Sequence, residues 1–234
     1  MKASSVTPEV LANIEEQKRR LEAEELILIF DMGEGCPEIK NTLETYLGVV
    51  CLVVDPKTFL AGDVKMLDPK GIIITDCPRN TVMPAKKAVF DREILSLEIP
   101  VLGIGIGRDI IAKFQHLPEW YRDEPGYQIA HLQDLDPQSE LLHGCTEHSK
   151  VLERCNVAVE GNAIVLKTAG TDKTTNASVI ESAHLHGVCF SLHDDQTSCG
   201  DIVLANFVNR ICLKRPSALL SQVAKRFNAL TKAA

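Results

Sequence analysis

Pro100-Val101-Leu102-Gly103-Ile104-Gly105-Ile106-Gly107-Arg108-Asp109 runs from a short apolar segment, through three alternating glycines, into the helical pattern that continues over Ile110 to Phe114. A buried strand that breaks sharply into a helix has this form, and such a turn presents one residue at the top of a sheet. Glycines on either side permit the strained turn and a close helix approach. The apex residue here is Gly105, which has no side chain. Outward from this turn, Leu26 to Phe30, Val49 to Val54 and Gly71 to Ile74 are further strand-sized apolar runs. Continuous apolar strands alternating with helical segments predict a parallel sheet covered on both faces. One such helix is expected over Pro37 to Tyr46, with Gly48 as its stop.

After Gly126 the pattern changes to short alternating segments, Ala163 to Lys167, Val179 to Ser182 and His184 to Phe190. These fit a mixed or antiparallel extension of the sheet. Ile202 to Cys212 and Pro216 to Ala234 read as amphipathic helices, the second with Leu219, Val223, Phe227 and Leu230 on one side. Thr7-Pro8 opens a mostly polar helix, with Glu15/Arg19 and Glu16/Arg20 at i,i+4 spacing. The expected organisation is a helical arm over 1–25, a core over 26–213 and a helical tail over 214–234. The arm and the tail are candidates for packing on the core or for binding a partner.

Composition narrows the function classes. The 234 residues are 45% hydrophobic and carry a net charge of −7, with a mean hydropathy of +0.01. One sizeable core is expected, with no membrane span. An acidic chain without a broad basic patch is a poor fit to nucleic acid. No apolar signal core opens the sequence, so a cytoplasmic protein is expected. The eight cysteines include no C-x-x-C pair and are read as reduced thiols.

In an open parallel sheet, ligands collect where the strands end. Four segments therefore matter: Asp31 to Cys36, Thr75 to Thr81, Gly103 to Asp109 and Ser191 to Gly200. His184, His186, Cys189, His193, Asp194 and Cys199 suggest a metal, but strand alternation sends Cys189 away from the two histidines, and no metal site is expected. Gly103-x-Gly105-x-Gly107 matches neither G-x-G-x-x-G nor a Walker loop. No cofactor is expected. Ser191 with His193 or His148 is a weak hydrolase pair, because residues two apart on a strand end need not meet.

Several blocks in order resemble the class I glutamine amidotransferase family, most closely the amidotransferase part of GMP synthetase. The resemblance runs from about Leu26 to Cys212. Leu26 to Gly33 is similar to the family's opening strand and turn. Gly71-Ile72-Ile73-Ile74-Thr75-Asp76-Cys77-Pro78 lies where the family has G-I-I-x-S-G-G-P, and Pro100 to Gly107 resembles P-V-L-G-I-C-Y-G. Glu124-Pro125-Gly126-Tyr127 sits near a short R-E-x-G-x stretch. Gly187-Val188-Cys189-Phe190-Ser191-Leu192-His193 resembles G-V-Q-F-H-P-E, and Gly200 to Cys212 resembles the closing helix.

The resemblance implies a flavodoxin-like α/β fold and a cysteine–histidine–glutamate mechanism through a glutamyl thioester. It also implies where this chain departs. Gly105 stands at the cysteine position, Ser191 at the histidine, His193 at the glutamate and Cys77 at the oxyanion-hole glycine, with Asp76 beside it. Arg108 and Asp109 replace the residues that follow the elbow. His148 falls near an S-H-G-D turn that helps to bind substrate or to contact the partner domain. Ligand-binding candidates are thus Asp76, Cys77, Gly103, Gly105, Arg108, Asp109, His148 and Ser191. No phosphate loop of S-G-G-V-D-S type is present in the sequence, so nucleotide adenylation is not expected of this chain by itself.

The expectation is an inactive amidotransferase-like protein that binds a synthetase-type or regulatory partner, another copy of itself or a small metabolite. The alternatives are altered chemistry in the same pocket, or an amidotransferase subunit linked to GMP synthesis.

Overall fold

The structure is a computed structural model that describes residues 4–78, 88–121, 126–132, 135–154, 157–159 and 178–215. Among these, β1 (Leu26–Phe30), β2 (Val50–Val54), β3 (Gly71–Ile74), β4 (Val101–Ile104), β9 (Val179–Glu181) and β10 (Leu185–Val188) form one six-stranded sheet. Its order is β2-β1-β3-β4-β10-β9. The first five strands in that order are parallel, and β9 pairs antiparallel to β10. This is the expected flavodoxin-like sheet with an antiparallel extension. Two smaller antiparallel pairs stand apart, β5 (Glu119–Tyr121) with β8 (Val157–Val159), and β6 (Tyr127–His131) with β7 (Lys150–Arg154).

Alternation along each strand sorts side chains to the two faces. Ile27, Ile29, Ile73 and Leu102 pack with Ile39 and Leu43, and with Val203 and Phe207. The first pair comes from α2 (Cys36–Thr42) and the π-helical turn Leu43–Leu47 that extends it. The second comes from α5 (Gly200–Asn206) and its π-helical extension Phe207–Cys212. Leu28, Phe30, Ile72, Ile74 and Val101 face the opposite way. They meet Ile14 of α1 (Pro8–Leu21), Val64 of α3 (Ala61–Leu67) and Ile110 and Ile111 of α4 (Ile106–Phe114). Gly48 ends the α2 segment in the left-handed conformation, as its position in the sequence predicts.

Three details differ from the sequence expectations. The charges of α1 pair at i,i+3, Lys18 with Glu15 and Arg19 with Glu16, while Arg20 reaches Glu44 on the α2 segment. Helix α3 was not anticipated. Asp63 shapes its start by accepting from the Leu60 N–H at 3.0 Å, and it also accepts from the Ser4 hydroxyl and the Ser5 N–H. Strand β10 ends at Val188, so Ser191 to His193 lies in a bend and not on a strand. The expected strand over 163–167, the tail from 216 onward, Glu124-Pro125 and Arg79 to Thr81 lie outside the described residues. No helix among the described residues is long and apolar enough to cross a membrane.

Candidate functional site at the carboxyl end of the sheet

The turn between β4 and α4 is built on backbone alone. Gly105 has φ +54° and ψ −109°, a combination that L side chains rarely adopt. Its N–H donates to the Val188 carbonyl at 2.9 Å, which ties the turn to the end of β10. A Cβ placed on Gly105 would lie 2.1 Å from Cγ and from Oδ2 of Asp76. The place where an elbow side chain would project is therefore filled by a carboxylate from the end of β3.

Asp76 is held from several directions. It is 5% exposed. Its Oδ1 accepts from the backbone N–H of Cys77 and of Ile106, both at 2.8 Å, and from a guanidinium nitrogen of Arg154. Its Oδ2 accepts from the Tyr127 hydroxyl at 3.0 Å. Two backbone amides converging on one oxygen, one of them at the first residue of a helix, are the means by which an oxyanion is stabilised. Here the anion belongs to the chain itself. The turn after β1 is clipped to the same point, since Glu34 donates its N–H to the Asp76 carbonyl and Met32 donates to Oγ1 of Thr75.

Charge is layered beneath this carboxylate. Burial alone would lower the Arg154 guanidinium, but Asp76, together with Asp109, holds it above its ordinary value. Arg108 is 1% exposed and pairs with Asp109 at 2.9 Å inside the first turn of α4. Glu153, next to Arg154 on β7, accepts from Ser178, Gln128 and the Cys189 thiol. Burial pushes the Cys77 thiol up, and the charge of Asp76 adds to that. The Tyr127 phenol is likewise raised, first by burial and then by Asp76. Thiol and phenol are thus both kept protonated around the buried carboxylate.

The neighbouring corner is looser. Ser191 Oγ lies 3.3 Å from His193 Nδ1, and His193 Nε2 lies 4.0 Å from Glu34 Oε1. The expectation that Ser191 and His193 need not meet is corrected, because the bend after β10 turns the two side chains toward each other. Gly35, at φ +76°, makes room for the ring; a Cβ there would lie 2.3 Å from it. His193 borders a cleft of about 220 Å³ lined also by Glu38, Leu192, Asp194, Asp195 and Asp201.

The structure thus gathers Asp76, Cys77 and Gly105 at one point, with Arg108 and Asp109 buried in the adjoining helix turn. Gly103 lies in β4 under α4, with the Gly107 backbone against it. His148 is exposed on the turn from Thr146 to Ser149, ahead of β7. His184 and His186 do not share a ligand: His184 Nε2 meets the Leu95 carbonyl, whereas His186 lies beside Glu181 and Phe207. The described residues hold no group of three or more side chains suited to a metal.

Sequence reasoning missed Arg154, Tyr127, Glu153 and Glu34. No sequence pattern marks them: Lys150-Val151-Leu152-Glu153-Arg154 carries three charges in five residues and does not read as a buried strand.

Comparison with known proteins agrees with this architecture. No family model matches the chain. The glutamine-hydrolysing GMP synthase of Staphylococcus saprophyticus is 28% identical over 191 residues, covering 81% of this chain and 36% of that protein. That of Clostridium perfringens is 30% identical over 201 residues, covering 80% and 37%. The chain therefore spans about a third of the length of the curated relatives it matches.

Among solved structures, a protein assigned as one subunit of GMP synthase, from Thermoplasma acidophilum, superposes with a TM-score of 0.61 at 15% identity. The match covers 89% of this chain and 98% of that one. A glutamine amidotransferase from Thermotoga maritima gives 0.55 at 14%, covering 89% and 94%. In sequence and in fold, this chain is a relative of the glutamine-hydrolysing GMP synthases, built on the class I glutamine amidotransferase-like fold.

Proposed function

We propose that this chain is an amidotransferase-like protein of GMP synthase type that does not hydrolyse glutamine and acts by binding a protein partner. The observation that carries the reading is the Asp76 carboxylate, which fills the space above Gly105 and takes up both nearby amide donors. A thioester needs a sulfur at that apex and a vacant pair of donors for the developing oxyanion. Neither is at hand, and general acid–base help from a histidine, worth ~10²–10⁴ in rate, has no thiol at the apex to act on. The natural partner is a synthetase-type or regulatory protein, with self-association as the alternative occupant of the same face. The core over 26–213 carries the fold, and the arm over 1–25 and the tail over 214–234 are the proposed docking elements. The relatives' names support a partner that works in GMP formation, and with it a cytoplasmic setting.

The test is ammonia release from glutamine by the full chain, alone and with the synthetase portion of a related GMP synthase. No release is expected in either case, while co-sedimentation of the two proteins is expected. Measurable hydrolysis would overturn the reading. Co-sedimentation that fails while hydrolysis stays absent removes the synthetase partner and leaves self-association, which is read from the mass of the chain alone.

A second reading rests on the 3.3 Å approach of Ser191 to His193, with Glu34 behind the ring. This arrangement supports altered hydrolytic chemistry in the adjoining cleft. It requires Ser191 to be labelled by a fluorophosphonate probe, and an unlabelled serine removes it.

A further inference from the structure

The end of the sheet opposite to Asp76 carries a groove that lies away from the candidate site. It has a volume of about 280 Å³ and runs between α1 and α3 beside the start of β1. Its apolar lining is Leu11 and Ile14 of α1, Leu26 of β1, and Met66 and Leu67 of α3. Leu11 and Met66 remain 44% and 60% exposed. Single exposed apolar residues are ordinary on a surface, but two that border one apolar groove make a seat for a further apolar element.

The chain itself is led to the same place. The extension of α5 brings Cys212 against the start of β3, where a Cβ on Gly71 would lie 2.4 Å from its Sγ. Lys70, just before β3, donates its N–H to the Leu26 carbonyl at 2.8 Å, and both residues line the groove. Arg215 is fixed at this edge as well. Its N–H donates to the Asn209 carbonyl at 2.7 Å, and its guanidinium lies 3.7 Å from Glu25, which sits in the chain between the groove residues Glu24 and Leu26. Pro216 follows, a residue that ends the preceding helix and suits the first turn of another.

We propose that this groove is the docking site of the chain's own residues 216–234, which lay the stripe of Leu219, Val223, Phe227 and Leu230 between α1 and α3. The stripe follows helical spacing, and at 1.5 Å per residue it spans about 16 Å, against about 10 Å for the run from Leu11 to Lys18 along the groove. It is therefore long enough to cover the opening, and it begins only four residues after Arg215. Charge agrees with this placement. Residues 216–234 carry Lys225, Arg226 and Lys232 and no acidic residue, while the link from α1 to β1 carries Glu22, Glu24 and Glu25. Arg215 with Glu25 is the first contact of that sign. Glu24 meets Lys18 at 3.9 Å with its side chain 91% exposed, so its carboxylate is open to a further cation. A partner then meets arm and tail as one surface.

The experiment uses the full chain and needs neither glutamine nor a partner, so its failure is distinct from failure of the proposed function. Hydroxyl-radical labelling is compared between the wild type and the double variant Val223→Asp, Phe227→Asp. Labelling of Met66 is expected to rise severalfold in the variant, while Met32, at the other end of the sheet, stays unchanged. Carbodiimide coupling of a mixture of isotopically light and heavy wild-type chain is expected to join Lys225 or Lys232 to Glu15, Glu22, Glu24 or Asp68 within one chain. Equal labelling of Met66 in both proteins overturns the proposal, because the groove is then open. Links that join light chain to heavy chain overturn it in favour of a second copy as the occupant. It is equally overturned if the two lysines give no link to that rim. The wild-type coupling decides the matter even where the variant folds poorly.

Discussion

Two corners of the same sheet edge are built on opposite terms. At β3 and β4, Asp76 lies inside a shell of two backbone amides, a guanidinium and a phenol, and no space is left above Gly105. At the end of β10, Ser191, His193 and Glu34 approach one another at 3.3 and 4.0 Å beside a cleft of about 220 Å³. The first corner is ionic, buried and filled. The second is weakly bonded and adjoins open space. A missing elbow side chain has therefore not left a hole in this molecule: a carboxylate and its counter-charges occupy the position, and only the neighbouring corner keeps the character of a pocket.

Substitutions at the filled corner should be the costlier ones. Arg154→Met leaves a buried carboxylate without its guanidinium and is expected to cost roughly 3–5 kcal/mol in urea unfolding. A loss under about 1 kcal/mol would mean that the carboxylate is solvated and that the contrast between the corners is false.

Next comes Gly105→Cys. It forces a side chain into a left-handed backbone and into Asp76, at a cost of about 1–3 kcal/mol for each effect. Most of the overlap term should vanish in an Asp76→Gly background, so the double-mutant cycle should show a coupling of about 1–3 kcal/mol. Additive losses would break the link between the two positions.

Tyr127→Phe removes one hydrogen bond to the carboxylate and should cost about 1.5 kcal/mol. It also carries a pH signature. The Tyr127 phenol is raised in the folded chain, so its contribution is fully present below the phenol's ordinary value near 10 and is lost as pH climbs beyond it. Unfolding measured from pH 8 to pH 11 should therefore fall less steeply in Tyr127→Phe than in the wild type.

The smallest effect belongs to the open corner. Ser191→Ala removes a single neutral contact and should change stability by about 0.5–1 kcal/mol. A loss comparable to that of Arg154→Met would erase the distinction.

Much of the fold could be read from the sequence, because strands buried on both faces announce themselves as unbroken apolar runs. Leu26 to Phe30 and Gly71 to Ile74 coincide with β1 and β3. The bare apex at Gly105 was equally visible, since three alternating glycines after a strand have few other uses.

What fills the apex was not visible. Tyr127 and Arg154 stand 51 and 78 residues from Asp76 in the chain, on strands of a separate small sheet. No periodicity connects them, and only the tertiary fold brings them together. The Ser191–His193 contact was missed for a local reason. The strand ends at Val188, and the bend that follows, which no strand or helix period describes, is what turns the two side chains together. Helix α3 was missed because Ala61-Gly62-Asp63 is a weak start by propensity; its first turn depends on an aspartate that also fastens residues 4 and 5.

The 2.1 Å overlap at Gly105 also ties two positions of the chain to one another. A side chain introduced at 105 collides with the resident aspartate, while removing that aspartate first strands a buried arginine. Either change alone is expected to weaken the fold, so a sulfur can be engineered at this apex only together with a rebuilt ion pair beneath it.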